Sequence, residues 1–145
     1  MSPDADAMEN PSYRQVCSGS TGHVEVLYVE LNEPEKHFEN LIRFFYQFHD
    51  PTTLNRQGND VGTQYASVIF CDGEEQTKIA ERVTSELQEL VTAEKVRYAM
   101  PTVKTGIVGI QKFYPAHDEH QAYLEKNPYG YCNHAYRFKE WPSLN

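Results

Sequence analysis

HVEVLYVELNEPEKHFENLIRFFYQF, residues 23–48, contains the change of period on which the fold reading turns. From His23 to Leu31 side chains alternate, with Val24, Val26 and Tyr28 on one face and Leu27, Val29 and Leu31 on the other. Both faces are apolar, which predicts a strand covered on both sides. Asn32 and Pro34 then suit the N-cap and first turn of a helix. Phe38, Leu41, Ile42, Phe45 and Phe48 follow at helical spacing. Further along, Ala66–Cys71 reads as a second strand and Glu74–Glu94 as a second helix, striped by Ile79, Ala80, Val83, Leu87, Leu90 and Val91. Val103–Ile110 predicts a third strand, and Pro115 opens a short polar helix to Lys126. Alternating strands and helices predict an α/β fold: a two-layer α+β sandwich with a mixed sheet and flanking helices.

The intervening segments are turn-rich. Residues 50–62 carry Pro51, Gly58, Asn59, Asp60 and Gly62 without a usable period and predict a long loop. Residues 1–10 are polar and acidic and read as disordered, 11–22 as a polar turn segment. One domain spans 11–133, and 134–145 form an irregular tail. The 145 residues suffice to bury a core without metal or disulfides. No apolar run approaches a membrane span, so no membrane partner is expected. Thirteen basic against twenty-one acidic residues give a net charge of −8, which repels phosphate backbones and argues against nucleic acid. Cys17, Cys71 and Cys132 are too sparse for a disulfide scaffold or a zinc pattern and point to a reducing compartment, the cytoplasm. The N-terminus resembles neither a signal nor a transit peptide.

Glu25 is the misfit of its strand, a carboxylate on the face of Leu27, Val29 and Leu31. Lost hydration there would raise its pKa and equip it to donate a proton, whereas an edge position would let it reach water. In RQGNDVGTQY, glycines at 58 and 62 bracket Asp60, and Tyr65 leads into the next strand. The loop either presents Asp60 to a small polar ligand or closes an Asx-turn, and the pattern alone favours the turn. No Lys-Ser/Thr follows, which excludes a phosphate loop. His117-Asp118-Glu119-His120 invites a metal reading, but no third strong ligand is in view and exposed side chains on a polar helix are the ordinary explanation. Tyr123, Tyr129, Tyr131 and Tyr136 read as phenol rings covering turns. Cys132 is either a free surface thiol or a redox cysteine near the chain end.

Three stretches in order, NPSYRQVCSGSTGHVEV (10–26), FHDPTTLNRQGNDVGTQY (48–65) and FYPAHDEHQAYLEKNPYGYC (113–132), closely resemble the methionine sulfoxide reductase A family. The resemblance runs from about Asn10 to Cys132. It implies thiol-dependent reduction of the S-epimer of methionine sulfoxide, free or in proteins, as a repair of oxidative damage. No bound cofactor is implied; thioredoxin or a dithiol supplies reductant. Glu25 matches the acid that protonates the sulfoxide oxygen, Tyr13 and Tyr65 the hydroxyl donors beside it, Asp60 a substrate-binding residue and Cys132 the resolving cysteine.

One motif departs from the family's pattern. The family's nucleophile sits in Gly-Cys-Phe-Trp at a strand-to-helix turn, where the helix dipole favours thiolate. These residues contain no such tetrapeptide, and the single Trp is Trp141. The chain is therefore expected to lack the family's N-terminal strand and helix, with neither Cys17 nor Cys71 replacing the nucleophile. A non-catalytic sulfoxide-binding remnant or a truncated fragment is the alternative reading. His117 stands where the family usually has an acid, and no glycine-rich tail with another cysteine follows Cys132.

Overall fold

A computed structural model describes all 145 residues and places them in an α/β fold. Helix α1 is Tyr13–Cys17, α2 is Pro34–Phe48, and a hairpin pairs β1 (Arg56–Gln57) with β2 (Asp60–Val61). A 3-10 turn at Thr63–Tyr65 leads to β3 (Val68–Cys71), then α3 (Glu74–Thr92) and β4 (Gly106–Gly109). A second 3-10 turn at Asp118–His120 and α4 (Tyr123–Lys126) follow. Parallel and antiparallel pairing are both present, in two separate two-stranded sheets. β3 and β4 run parallel with Val68 opposite Gly106 and Cys71 opposite Gly109, so α3 is the crossover of a β-α-β unit.

The core lies between α2, α3 and this sheet. Phe38, Ile42 and Tyr46 of α2 bury one stripe against Ala80, Val83, Leu87 and Leu90 of α3, with Ile69 and Cys71 beneath. The Tyr46 hydroxyl shares a 2.6 Å hydrogen bond with Thr84 Oγ1, satisfying the one polar atom of a fully buried ring. Arg43 clamps the outer edge: it donates to Glu39 of its own helix and to Glu86 of α3, while its guanidinium lies 4.6 Å over the Trp141 ring. The terminal residues carry no helix or strand, yet Phe138 and Trp141 pack on the core.

Several local expectations differ from the structure. His23–Leu31 is extended, but it is not a ladder strand. Its only backbone bonds join Val24 to Met1 and Glu25 to Gln64, and from Val26 to Leu31 no other strand runs alongside. On the second apolar face Leu27, 87% exposed, and Val29 are uncovered, while Leu31 packs against the core. Residues 11–22, read as turn, contain α1, where Gln15 Oε1 accepts from the Ser12 amide at 2.8 Å. The α2 N-cap is Glu33, in a left-handed conformation at φ 53°, rather than Asn32, because Pro34 occupies the first helical position. The polar helix after Pro115 is split into a 3-10 turn and α4 by Ala122 at φ 50°. In the N-terminal decapeptide, Met1 is buried and Ser2 Oγ donates to Gly22 O at 2.7 Å.

No helix is long and apolar enough to cross a membrane.

Candidate active site

Glu25 is held by its backbone. Its amide donates to Gln64 O at 2.9 Å, which fastens the extended segment to the 3-10 turn that carries Tyr65. The turn is anchored on its other side, where Thr63 Oγ1 donates to Gly19 O at 3.0 Å and Gln64 Nε2 to Cys17 O at 3.4 Å. These bonds draw together three distant pieces of chain: the end of α1, Glu25 and Tyr65. Gly62 is required here, since at φ 153° a side chain would collide with the Gln64 amide. Gln64 is itself buried, and its Oε1 has no hydrogen-bond partner.

Asp60 arrives on the hairpin. Gly58 at φ 58° occupies the first central position of the two-residue turn, the place glycine takes in type II′ hairpins. The hairpin is stitched down by Gln57, whose side-chain amide bonds the backbone of Asp50 in both directions. Asp50 in turn accepts from Thr52 N, Thr52 Oγ1 and Ala99 N. At the far end Asn133 Nδ2 donates both to Gln57 O, at 2.7 Å, and to Asp60 Oδ2. Asp60 is therefore a ladder residue tied by a side chain 73 positions later, and no Asx-turn forms.

The electrostatics of these groups are mutual. Solvent reaches Glu25, but protein crowding one side of its carboxyl, and secondly the Asp60 carboxylate, raise its pKa above the ordinary range; His120 opposes the rise. Burial raises the Tyr65 phenol, followed by the charges of Glu25 and Asp60. The neighbouring Cys17 side chain is the main influence raising the Tyr13 pKa, and Glu25 and Tyr65 add to it. The Tyr13 ring stacks on His120, with centroids 4.5 Å apart, and lies 6.4 Å from His117. The His-Asp-Glu-His stretch thus packs against a tyrosine, and no three His, Cys, Asp or Glu side chains gather as a metal set.

An acid that holds its proton to higher pH, two phenols that stay protonated and a second carboxylate form a cluster suited to donating protons to a polar oxygen. Glu25, Tyr13, Tyr65 and Asp60 all belong to it. Cys132 is exposed and stands to one side, next to the Asn133 that grips Asp60. Sequence reasoning missed Asn133 and Gln64, and singled out His120 only as part of a metal reading rather than as a neighbour of Tyr13 and Glu25. Asn133 left a signal, an amide directly after a candidate redox cysteine. Of the other thiols Cys17 is exposed, while Cys71 is buried at the end of β3, where burial raises its pKa and disfavours thiolate.

The peptide methionine sulfoxide reductase family model matches residues 5–143. A probable peptide methionine sulfoxide reductase of Schizosaccharomyces pombe is 44% identical over 122 residues, 84% of this chain and 68% of the relative. A peptide methionine sulfoxide reductase of Polynucleobacter asymbioticus is 46% identical over 127 residues, 87% of this chain and 64% of the relative. Among solved structures, reduced Mxr1 from Saccharomyces cerevisiae superposes with a TM-score of 0.78 at 38% identity, covering 92% of this chain and 70% of that one. Methionine sulfoxide reductase A of Corynebacterium diphtheriae gives 0.66 at 37% identity, covering 88% and 62%. The chain spans about two thirds of the length of these relatives.

Proposed function

The chain belongs to the peptide methionine sulfoxide reductase family, and from that membership we propose that it acts in the thiol-dependent reduction of methionine-S-sulfoxide to methionine, an oxidoreductase reaction. The observation that carries the reading is the gathering of Glu25, Asp60, Tyr65 and Tyr13 around the Glu25–Gln64 backbone bond, where crowding and the Asp60 charge favour a protonated Glu25. A sulfoxide oxygen is a weak leaving group until protonated, and these residues are the donors that would protonate it. Asp60 orients the sulfoxide, Tyr13 and Tyr65 hydrogen-bond its oxygen, and Glu25 delivers the proton as a thiolate attacks sulfur. Methionine leaves and the attacking thiol becomes a sulfenic acid. Cys132 condenses with that sulfenic acid, forming a disulfide and releasing water, and thioredoxin or a dithiol reduces the disulfide by exchange. Free thiols at all three cysteines suit a reducing compartment such as the cytoplasm.

The deciding experiment is turnover of S-methionine sulfoxide by the purified chain with excess dithiothreitol, alongside Cys17→Ser, Cys71→Ser and Cys132→Ser. Turnover abolished by Cys17→Ser or Cys71→Ser identifies that cysteine as the attacking thiol and overturns the expectation that neither replaces the family's nucleophile. A folded, inert chain overturns the catalytic reading. A sulfoxide-binding role without turnover is the alternative that the same experiment separates. Calorimetric binding of S-methionine sulfoxide by an inert chain supports that alternative, and no binding removes it.

A further inference from the structure

Cys132 has a neighbour that the reaction just described does not use. His134 Nδ1 lies 3.9 Å from Cys132 Sγ, and both side chains are open to solvent. The imidazole ring stacks on Phe48 of α2, with centroids 5.3 Å apart and planes at 17°. The residue between them, Asn133, is fixed by its two bonds to Gln57 and Asp60. The thiol and the imidazole are thus attached to opposite sides of one anchored residue, with one nitrogen facing the sulfur.

We propose that His134 is the general base of Cys132, taking the thiol proton from Sγ as that sulfur attacks a sulfenic acid or a disulfide. In the first case the Cys132 S–S bond forms as the S–O bond of the sulfenic acid breaks. The proton taken by Nδ1 passes to the departing hydroxide, which leaves as water. In the second case the partner disulfide breaks, its leaving sulfur departs as thiolate, and the proton stays on His134. Either role uses the tautomer with hydrogen on Nε2 and a bare Nδ1. Protein packed against the ring lowers the His134 pKa, Arg137 lowers it further and Asp60 opposes, while His49 is the nearby imidazole. His134 is thereby neutral at pH 7 and able to accept. A thiol attacks as the thiolate, so a neutral imidazole beside the sulfur supplies the acceptor its proton needs.

The inference rests on the reading of Cys132 as a redox cysteine, but its test uses no sulfoxide. Iodoacetamide alkylation of the full chain is followed at each cysteine by mass spectrometry between pH 5 and 10, in the wild type and in His134→Gln. Cys132 is expected to alkylate about tenfold faster than in His134→Gln at pH 7, with the difference shrinking toward the alkaline end of the range, where hydroxide can take the proton instead. The wild-type profile should carry a shoulder below pH 6.5, where His134 titrates, that exposed Cys17 lacks. Superimposable Cys132 profiles in the two proteins overturn the proposal. Should His134→Gln render buried Cys71 reactive, signalling unfolding, the wild-type shoulder decides by itself, and a single ordinary thiol inflection at Cys132 overturns the proposal. Sulfoxide turnover bears on the family reaction and leaves this outcome untouched.

Discussion

Glu25 shows how one residue can be placed by the backbone and tuned by its surroundings. Its amide bond to Gln64 sets its position, and crowding with Asp60 nearby raises its pKa. A proton donor of this kind is competent only while protonated, so sulfoxide reduction should decline as pH rises through the raised Glu25 pKa. Glu25→Gln should lower kcat by about 10²–10⁴-fold, the usual contribution of a positioned acid, and remove that limb of the pH profile. Steady-state kinetics with dithiothreitol across pH 5–9 check both. Asp50 makes a different point. Its carboxylate accepts three hydrogen bonds and holds the base of the loop that carries the hairpin. Asp50→Ala leaves those donors unmatched and should cost about 3 kcal/mol, read as a lower urea midpoint.

At the scale of elements, the hairpin of β1 and β2 is small and depends on Gly58. A Cβ at that position would sit 3.3 Å from the Asn133 side chain, and φ 58° disfavours any branched residue. Gly58→Val should therefore cost on the order of 1–3 kcal/mol in backbone strain and loosen the Asn133 grip on Asp60. The expected signature is a raised KM for methionine sulfoxide together with a lower Tm. The helix pair responds to packing alone: Leu87 is fully buried, and Leu87→Ala should destabilise by about 2–5 kcal/mol with the site geometry unchanged.

For the whole molecule, acid is the expected weakness. Buried His49 bonds Phe45 O through Nδ1 and Ser67 Oγ through Nε2, and burial lowers its pKa to about 4. The unfolded chain binds a proton near pH 6.5 that the native state refuses. Stability is thus highest above pH 6.5 and falls as pH drops toward about 4, by on the order of 2–3 kcal/mol. Glu39, held down to about 2 by Arg82 and Arg43, adds a loss in the same direction below its ordinary pKa of 4.5. Urea denaturation of the wild type and His49→Gln at pH 7.5 and 4.5 tests this, and the variant should show the smaller difference. The extended 26–31 segment, with Leu27 and Val29 exposed and no backbone partners, should also keep the melting of these 145 residues below about 50 °C.

The sequence alone determined what depends on local periodicity and on short words. The α2 and α3 stripes, the β3 and β4 runs and the contiguous motifs around Glu25, Asp60 and Tyr65 were all legible, because burial repeats with the period of the element that produces it. A Ser12-x-x-Gln15 capping box marks the start of α1 within a segment whose polar, turn-rich composition masks the helix. Only the tertiary structure decided where His23–Leu31 finds partners, since alternation specifies which side chains face which way and not what lies alongside. Likewise it alone brought Tyr13 onto His120, Asn133 onto Asp60 and His134 onto Phe48. Those contacts join residues tens of positions apart through single polar or aromatic side chains, which leave no period in the chain to read.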